Sequence, residues 1–151
     1  MGDAGQMIFF GLFVVVWILD SFFLKRSTVL ANNIPLIIRL IILGAAFAAA
    51  FYLFKSGHVV VSGDQRATEV VSAGAFRYVR HPLYLGSILI YFGMTVSTAS
   101  LFCLLLLAVI IAFYNYIASY EENLLKVKFG QAYVAYQKST GKWVPRLGKK
   151  G

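Results

Sequence analysis

Residues 101–120 read LFCLLLLAVIIAFYNYIASY, without one charged side chain. A helix of this length is about 30 Å long, the thickness of a bilayer's hydrocarbon core. In a soluble domain of this size such a segment would leave apolar faces with nothing to pack against, whereas lipid solvates them directly. Three further apolar runs lie upstream. Met7 to Leu24 is interrupted only by Asp20 and Ser21, and Ile34 to Phe54 carries Arg39 near its start. The third is apolar from Leu83 to Val96 and spans a membrane only if Thr95 to Ser100 reaches the far interface. The whole chain of 151 residues is 60% hydrophobic and 13% charged, against roughly 25% charged in soluble domains. These features predict an all-α polytopic membrane bundle forming a single membrane domain over 1–151. Its spans are 7–24, 34–54, 83–100 and 101–120, followed by a cytoplasmic tail over 121–147 that contains an amphipathic helix. The short polar link at 97–100 predicts a tight hairpin between the last two spans.

The net charge of +8 would suggest nucleic acid in a soluble protein. Here the basic residues sit between and after apolar runs, so lipid headgroups and membrane orientation account for them, and no nucleic-acid partner is expected. Lys55, Arg66, Arg77 and Arg80 form one basic segment. Lys126, Lys128, Lys138, Lys142, Arg146, Lys149 and Lys150 form another. With four spans both fall on one side, which the positive-inside rule makes cytoplasmic, and the N-terminus joins them. Lys25 and Arg26 lie on the opposite side. The single cysteine, Cys103, excludes an internal disulfide framework and a cysteine metal site. The first run is preceded by no basic segment, which predicts that it is retained and not cleaved as a signal peptide.

In the tail, Leu125, Phe129, Tyr133 and Tyr136 are spaced to share one helical stripe, with Gly130 positioned to weaken or end it. Within the spans, the small residues Gly44, Ala45, Ala46, Ala48, Ala49 and Ala50 invite close helix approach. Asp20 and Arg39 both approach the non-cytoplasmic interface. Snorkelling to water is the first expectation for them, an ion pair the second and a functional role the third.

The opposite face is chemically richer. Arg80-His81-Pro82-Leu83-Tyr84-Leu85-Gly86 leads into the third span, and Pro82 suits a first helical turn. His81 then stands at a helix N-terminus, where free N–H groups attract an anion, and Gly86 permits close approach. Glu121 and Glu122 close the fourth span against the basic trend of their face. A tight hairpin puts His81 and Glu121 at one depth, with Glu122 about 100° away around the helix.

The order RHPLYLG, then Glu121-Glu122, then Phe129-Gly130, Tyr133, Tyr136 and Pro145, resembles the isoprenylcysteine carboxyl methyltransferase family, grouped with the phospholipid methyltransferases. The resemblance covers roughly residues 70–147. It implies S-adenosyl-L-methionine as methyl donor, bound on the cytosolic side between the last two spans and the tail. It also implies a lipophilic acceptor entering from the bilayer: an isoprenylcysteine-like carboxylate, a lipid amine or a small thiol. His81, Tyr84, Leu85, Gly86, Glu121, Tyr133 and Tyr136 would line the cofactor site. Glu121 and Glu122 would be the catalytic pair, and no metal is implied. Many relatives carry an arginine shortly before the glutamates, where this chain has Asn115, Tyr116 and Ser119. Two other readings compete: an NADPH-dependent enzyme of the sterol-reductase type, and a non-enzymatic four-helix membrane protein.

Overall fold

A computed structural model describes residues 2–63 and 69–146. Helix α1 spans Gly2–Ile18 and continues as a π-helical stretch, Leu19–Leu24. A 3₁₀ turn, Val29–Asn32, leads to α2 (Leu36–Gly63), and a second, Gly74–Arg77, leads to α3 (Pro82–Thr98). Then follow α4 (Leu101–Phe129) and α5 (Gln131–Ser139). Arg66, Lys149 and Lys150 lie outside the described residues. The stretches Ala4–Leu24, Leu36–His58 and Leu101–Phe129 are long and apolar enough to cross a membrane. The third expected span is shorter: α3 has 17 residues, about 25 Å of helix.

Several boundaries differ from those read from the sequence. α2 runs past Phe54 to Gly63. α4 does not stop at Tyr120 but continues to Phe129, so Glu121 and Glu122 sit within a helix and not at its end. The tail is therefore not one amphipathic helix. Gly130, at φ +57°, separates Leu125 and Phe129 on α4 from Tyr133 and Tyr136 on α5. That backbone conformation is open to glycine and costly for other residues.

The tight hairpin is present. Ala99 and Ser100 alone connect α3 to α4, with Ala99 in the left-handed region and Ser100 Oγ capping α4 by accepting from Cys103 N at 3.1 Å. Cys103, Leu107, Ile110 and Tyr114 recur at helical spacing along α4 and bury against Phe13 of α1 and Tyr91 of α3. α2 packs on α3 through part of its small-residue run. Ala46 and Ala50 are buried, and a Cβ placed on Gly93 of α3 would lie 3.0 Å from the Ala46 Cβ. Gly44, Ala45, Ala48 and Ala49 face outward.

At the end of the bundle holding the α3–α4 turn, Asp20 is 2% exposed. It neither snorkels nor pairs with Arg39. Its carboxylate accepts from Ser27 N (3.2 Å), from Ser27 Oγ and from Ser100 Oγ (2.6 Å), while Ser27 O accepts from Leu101 N at 3.2 Å. Burial of a carboxylate is tolerated when hydrogen bonds satisfy it. Arg39 instead donates to the carbonyls of Ile34 (3.2 Å) and Ser97 (2.8 Å). The start of α1, the start of α3, the later half of α4 and all of α5 gather at the opposite end.

Candidate active site

Pro82 is the first residue of α3 and His81 its N-cap, with a side chain that makes no capping bond and is free to reach sideways. It reaches α4. His81 is 7% exposed, with Nε2 3.1 Å from Glu122 Oε1 and Nδ1 3.7 Å from Glu121 Oε2. Burial pushes the imidazole below its ordinary pKa of 6.5, with the Glu122 hydrogen bond opposing that shift. A neutral ring facing an ionised Glu122 must carry its proton on Nε2, because a carboxylate only accepts. Nδ1 then presents a lone pair toward Glu121 Oε2. Two acceptors at that separation form a spot of negative potential.

Glu122 is held more tightly than its neighbour. Arg80 Nε donates to Oε1 at 2.8 Å and Gln137 Nε2 donates to Oε2 at 2.8 Å, with the Arg80 and Glu122 side chains 9% and 10% exposed. Arg80 also donates through Nη1 to the carbonyls of Gln137 and Thr140, and its backbone N–H donates to Gly141 O at 2.9 Å. Arg80 thus ties α5 and the segment after it to the α3–α4 pair. Reading it from sequence as a topological charge missed this, since its partners lie 42 to 61 residues away. Glu121 is more exposed and accepts from Tyr84 Oη. The Tyr84 ring lies parallel to the His81 ring, with centroids 5.7 Å apart.

A cavity of about 440 Å³ opens at this point, walled by His81 to Tyr84, Glu121, Arg80, Phe76 and Gln6 of α1. Gln6 and Phe76 carried no sequence signal beyond being an isolated amide and a loop aromatic. The volume lies within the ordinary range of small-molecule sites. One wall is acidic and another holds the first-turn N–H groups of α3, so the cavity suits a ligand bearing both a cation and an anion.

The other expected site residues are placed differently. Tyr133, 3% exposed, and Tyr136 line a second cavity of about 220 Å³, with Phe76 and Arg80 lining both. Tyr136 Oη donates to Phe76 O at 2.6 Å. Burial raises both phenols, Tyr136 to about 12, so both stay neutral. Leu85 and Gly86 line neither cavity. A Cβ on Gly86 would meet Phe54 at 3.2 Å and the Ala50 carbonyl at 3.4 Å, so this glycine serves the α2–α3 contact. Among the described residues no group of three His, Cys, Asp or Glu side chains is arranged to hold a metal ion.

The stretch before the glutamates is met by a cation from the tail. Lys142 Nζ donates to Asn115 Oδ1 (2.8 Å), Asn115 O (3.2 Å) and Ser119 Oγ (2.8 Å). Burial lowers its pKa, an effect Glu122 opposes. The adjacent Trp143 places its ring 5.8 Å from that of His81.

A family model described as phospholipid methyltransferase matches residues 36–132. The match starts at the first residue of α2, well before the 70–147 region in which the sequence resemblance was read, and stops just short of Tyr133. No curated protein matches the chain.

Proposed function

Because this chain belongs to the phospholipid methyltransferase family, a family of membrane methyltransferases, we propose that it is a multi-pass membrane enzyme that methylates a lipophilic acceptor from S-adenosylmethionine. The observation that carries this reading is the pair of acceptors formed by His81 Nδ1 and Glu121 Oε2, 3.7 Å apart on the wall of the larger cavity. A ligand ammonium placed in the cavity meets both atoms at once. The first-turn N–H groups of Leu83 and Tyr84 suit a carboxylate, and the Phe76 and Tyr84 rings suit a heteroaromatic base or a sulfonium. When bound, S-adenosylmethionine supplies an electrophilic methyl group on sulfur.

The remaining work falls to the chain. Holding the two reactants in line and excluding water supply much of the acceleration in such displacements. A carboxylate or thiolate acceptor needs little proton transfer. An amine acceptor must reach the site neutral, and Glu121 is the group positioned to take its proton. Both Glu122 oxygens are engaged by Arg80, His81 and Gln137. Glu122 therefore acts as a positioning residue that fixes the His81 tautomer. The Lys/Arg distribution supports a cytoplasmic location for the site and for the N-terminus.

Calorimetry of S-adenosylmethionine binding to the detergent-solubilised chain tests the reading. His81→Ala and Glu121→Gln should each weaken binding about 10- to 100-fold, the value of one hydrogen bond to a charged group. If both variants bind like the parent, the site is wrong. Binding of NADPH in place of S-adenosylmethionine would favour the reductase alternative.

A further inference from the structure

The far end of the bundle, where α1 finishes and α2 begins, holds a cavity of about 410 Å³ that takes no part in the site above. Its charged wall residues are Lys25 and Arg39. Ser21, Thr28, Asn32 and Thr98 supply hydroxyl and amide groups, and no acidic side chain lines it. The nearby Asp20 carboxylate is engaged by Ser27 and Ser100. Among the described residues neither cation has a carboxylate partner within 4.0 Å, and the Lys25 ammonium makes no hydrogen bond. Arg39 spends Nε and Nη1 on carbonyls and leaves Nη2 uncommitted.

The wall is also costly to build. Lys25 occupies the left-handed region at φ 49°, ψ 29° as the C-cap of a π-helical stretch. For a non-glycine residue that conformation costs of the order of 1 kcal/mol or more, and π turns concentrate at functional positions. Val29 lines the cavity, and Phe23, Leu24, Leu36 and Ile37, within three residues of Lys25 or Arg39 in the chain, are exposed. A cationic, hydroxyl-lined recess with an apolar rim matches an amphiphile whose anionic head enters the recess while its chains lie along the helices.

We propose that this cavity binds the phosphate group of an anionic phospholipid, gripped by Lys25 and Arg39 and oriented by the hydroxyls of Thr28 and Thr98, the Thr98 oxygen accepting from Ser21 Oγ at 2.8 Å and keeping its own proton to donate. It is separated from the His81 and Glu121 cavity by the length of α3, about 25 Å. A lipid bound here cannot present its headgroup for methylation, so the site is a second, non-substrate one. It stands or falls independently of methyl transfer.

The test titrates the full chain, purified in a neutral maltoside detergent, with dihexanoyl phosphatidylglycerol, dihexanoyl phosphatidylcholine or inorganic phosphate. Binding is read by native mass spectrometry and by the rise in melting temperature. Phosphatidylglycerol should bind more tightly than phosphatidylcholine, whose choline neutralises its phosphate. Lys25→Gln and Arg39→Gln should each weaken phosphatidylglycerol by about 10-fold or more. A cooperative melt without lipid shows that each variant is folded, and Lys25→Gln removes no hydrogen bond or ion pair of the ammonium among the described residues. Parent-like affinity in both variants, or equal affinity for the two lipids, overturns the proposal. Inorganic phosphate reproducing the whole shift overturns the lipid as the source of the anion.

Discussion

The two ends of the bundle bury an acid in opposite ways. At one end Glu122 is neutralised by Arg80 and held further by His81 and Gln137, which leaves Glu121 to face the cavity. At the other, Asp20 is satisfied by the hydroxyls of Ser27 and Ser100, which leaves Lys25 and Arg39 without an acidic partner among the described residues. The choice of partner decides the sign of what is left over. An acid held by a cation leaves its end acidic, and an acid held by neutral donors leaves its end basic. Each cavity takes its character from the bonds made beside it.

Breaking each knot compares the two strategies directly. Glu122→Ala strands a buried guanidinium and should cost about 3–5 kcal/mol of stability, seen as the largest fall in melting temperature in detergent. Asp20→Ala leaves only hydroxyls and N–H groups behind, and these re-pair or hydrate more easily. It should cost roughly 1–3 kcal/mol. An equal or larger loss at Asp20 would erase the distinction between the two ends.

The smallest effect is a pH dependence confined to one end. The folded pKa of His81 lies below its ordinary value of 6.5 because the ring is buried. Above pH 6.5 the ring is neutral in both folded and unfolded chains, and its contribution is fully present. As pH falls below 6.5 the unfolded chain takes up a proton that the folded one does not, so stability declines through the folded pKa, by at most about 1.4 kcal/mol per pH unit. Melting measured from pH 7.5 to 5 should show a shallower slope in His81→Gln. Asp20→Asn should keep the parent's slope there, because its cluster contains no histidine.

Much of the fold was legible because membrane spans announce themselves by length and by the absence of charge, which needs no knowledge of partners. The Ala99–Ser100 turn and the closeness of His81 to Glu121 followed from the short link alone. Other features depended on contacts remote in sequence. Asp20 reads as a snorkelling residue until Ser100, 80 positions later, is seen beside it. The span read as 101–120 lies within a helix that runs on to Phe129; two glutamates look like a boundary in sequence. They continue the helix because Arg80, His81 and Tyr84 satisfy them from about 40 residues upstream. The sequence does not separate the roles of the two glutamates, whereas burial and partners make Glu122 the more constrained. Gly86 stands in the motif as if for a ligand, while its open side faces Phe54.

The stitching of Arg80 to the carbonyls of Gln137 and Thr140 and to Gly141 also bears on the order of assembly during synthesis. Those partners are translated after every apolar helix has been made. A ribosome can therefore deliver α1 to α4 to the bilayer while the guanidinium still waits for two of its three acceptors. Arg80, which lines the larger cavity, is tied in place only when that later segment folds back against it. A chain ending near residue 130 would hold all four apolar helices and still lack two of the three acceptors of that guanidinium.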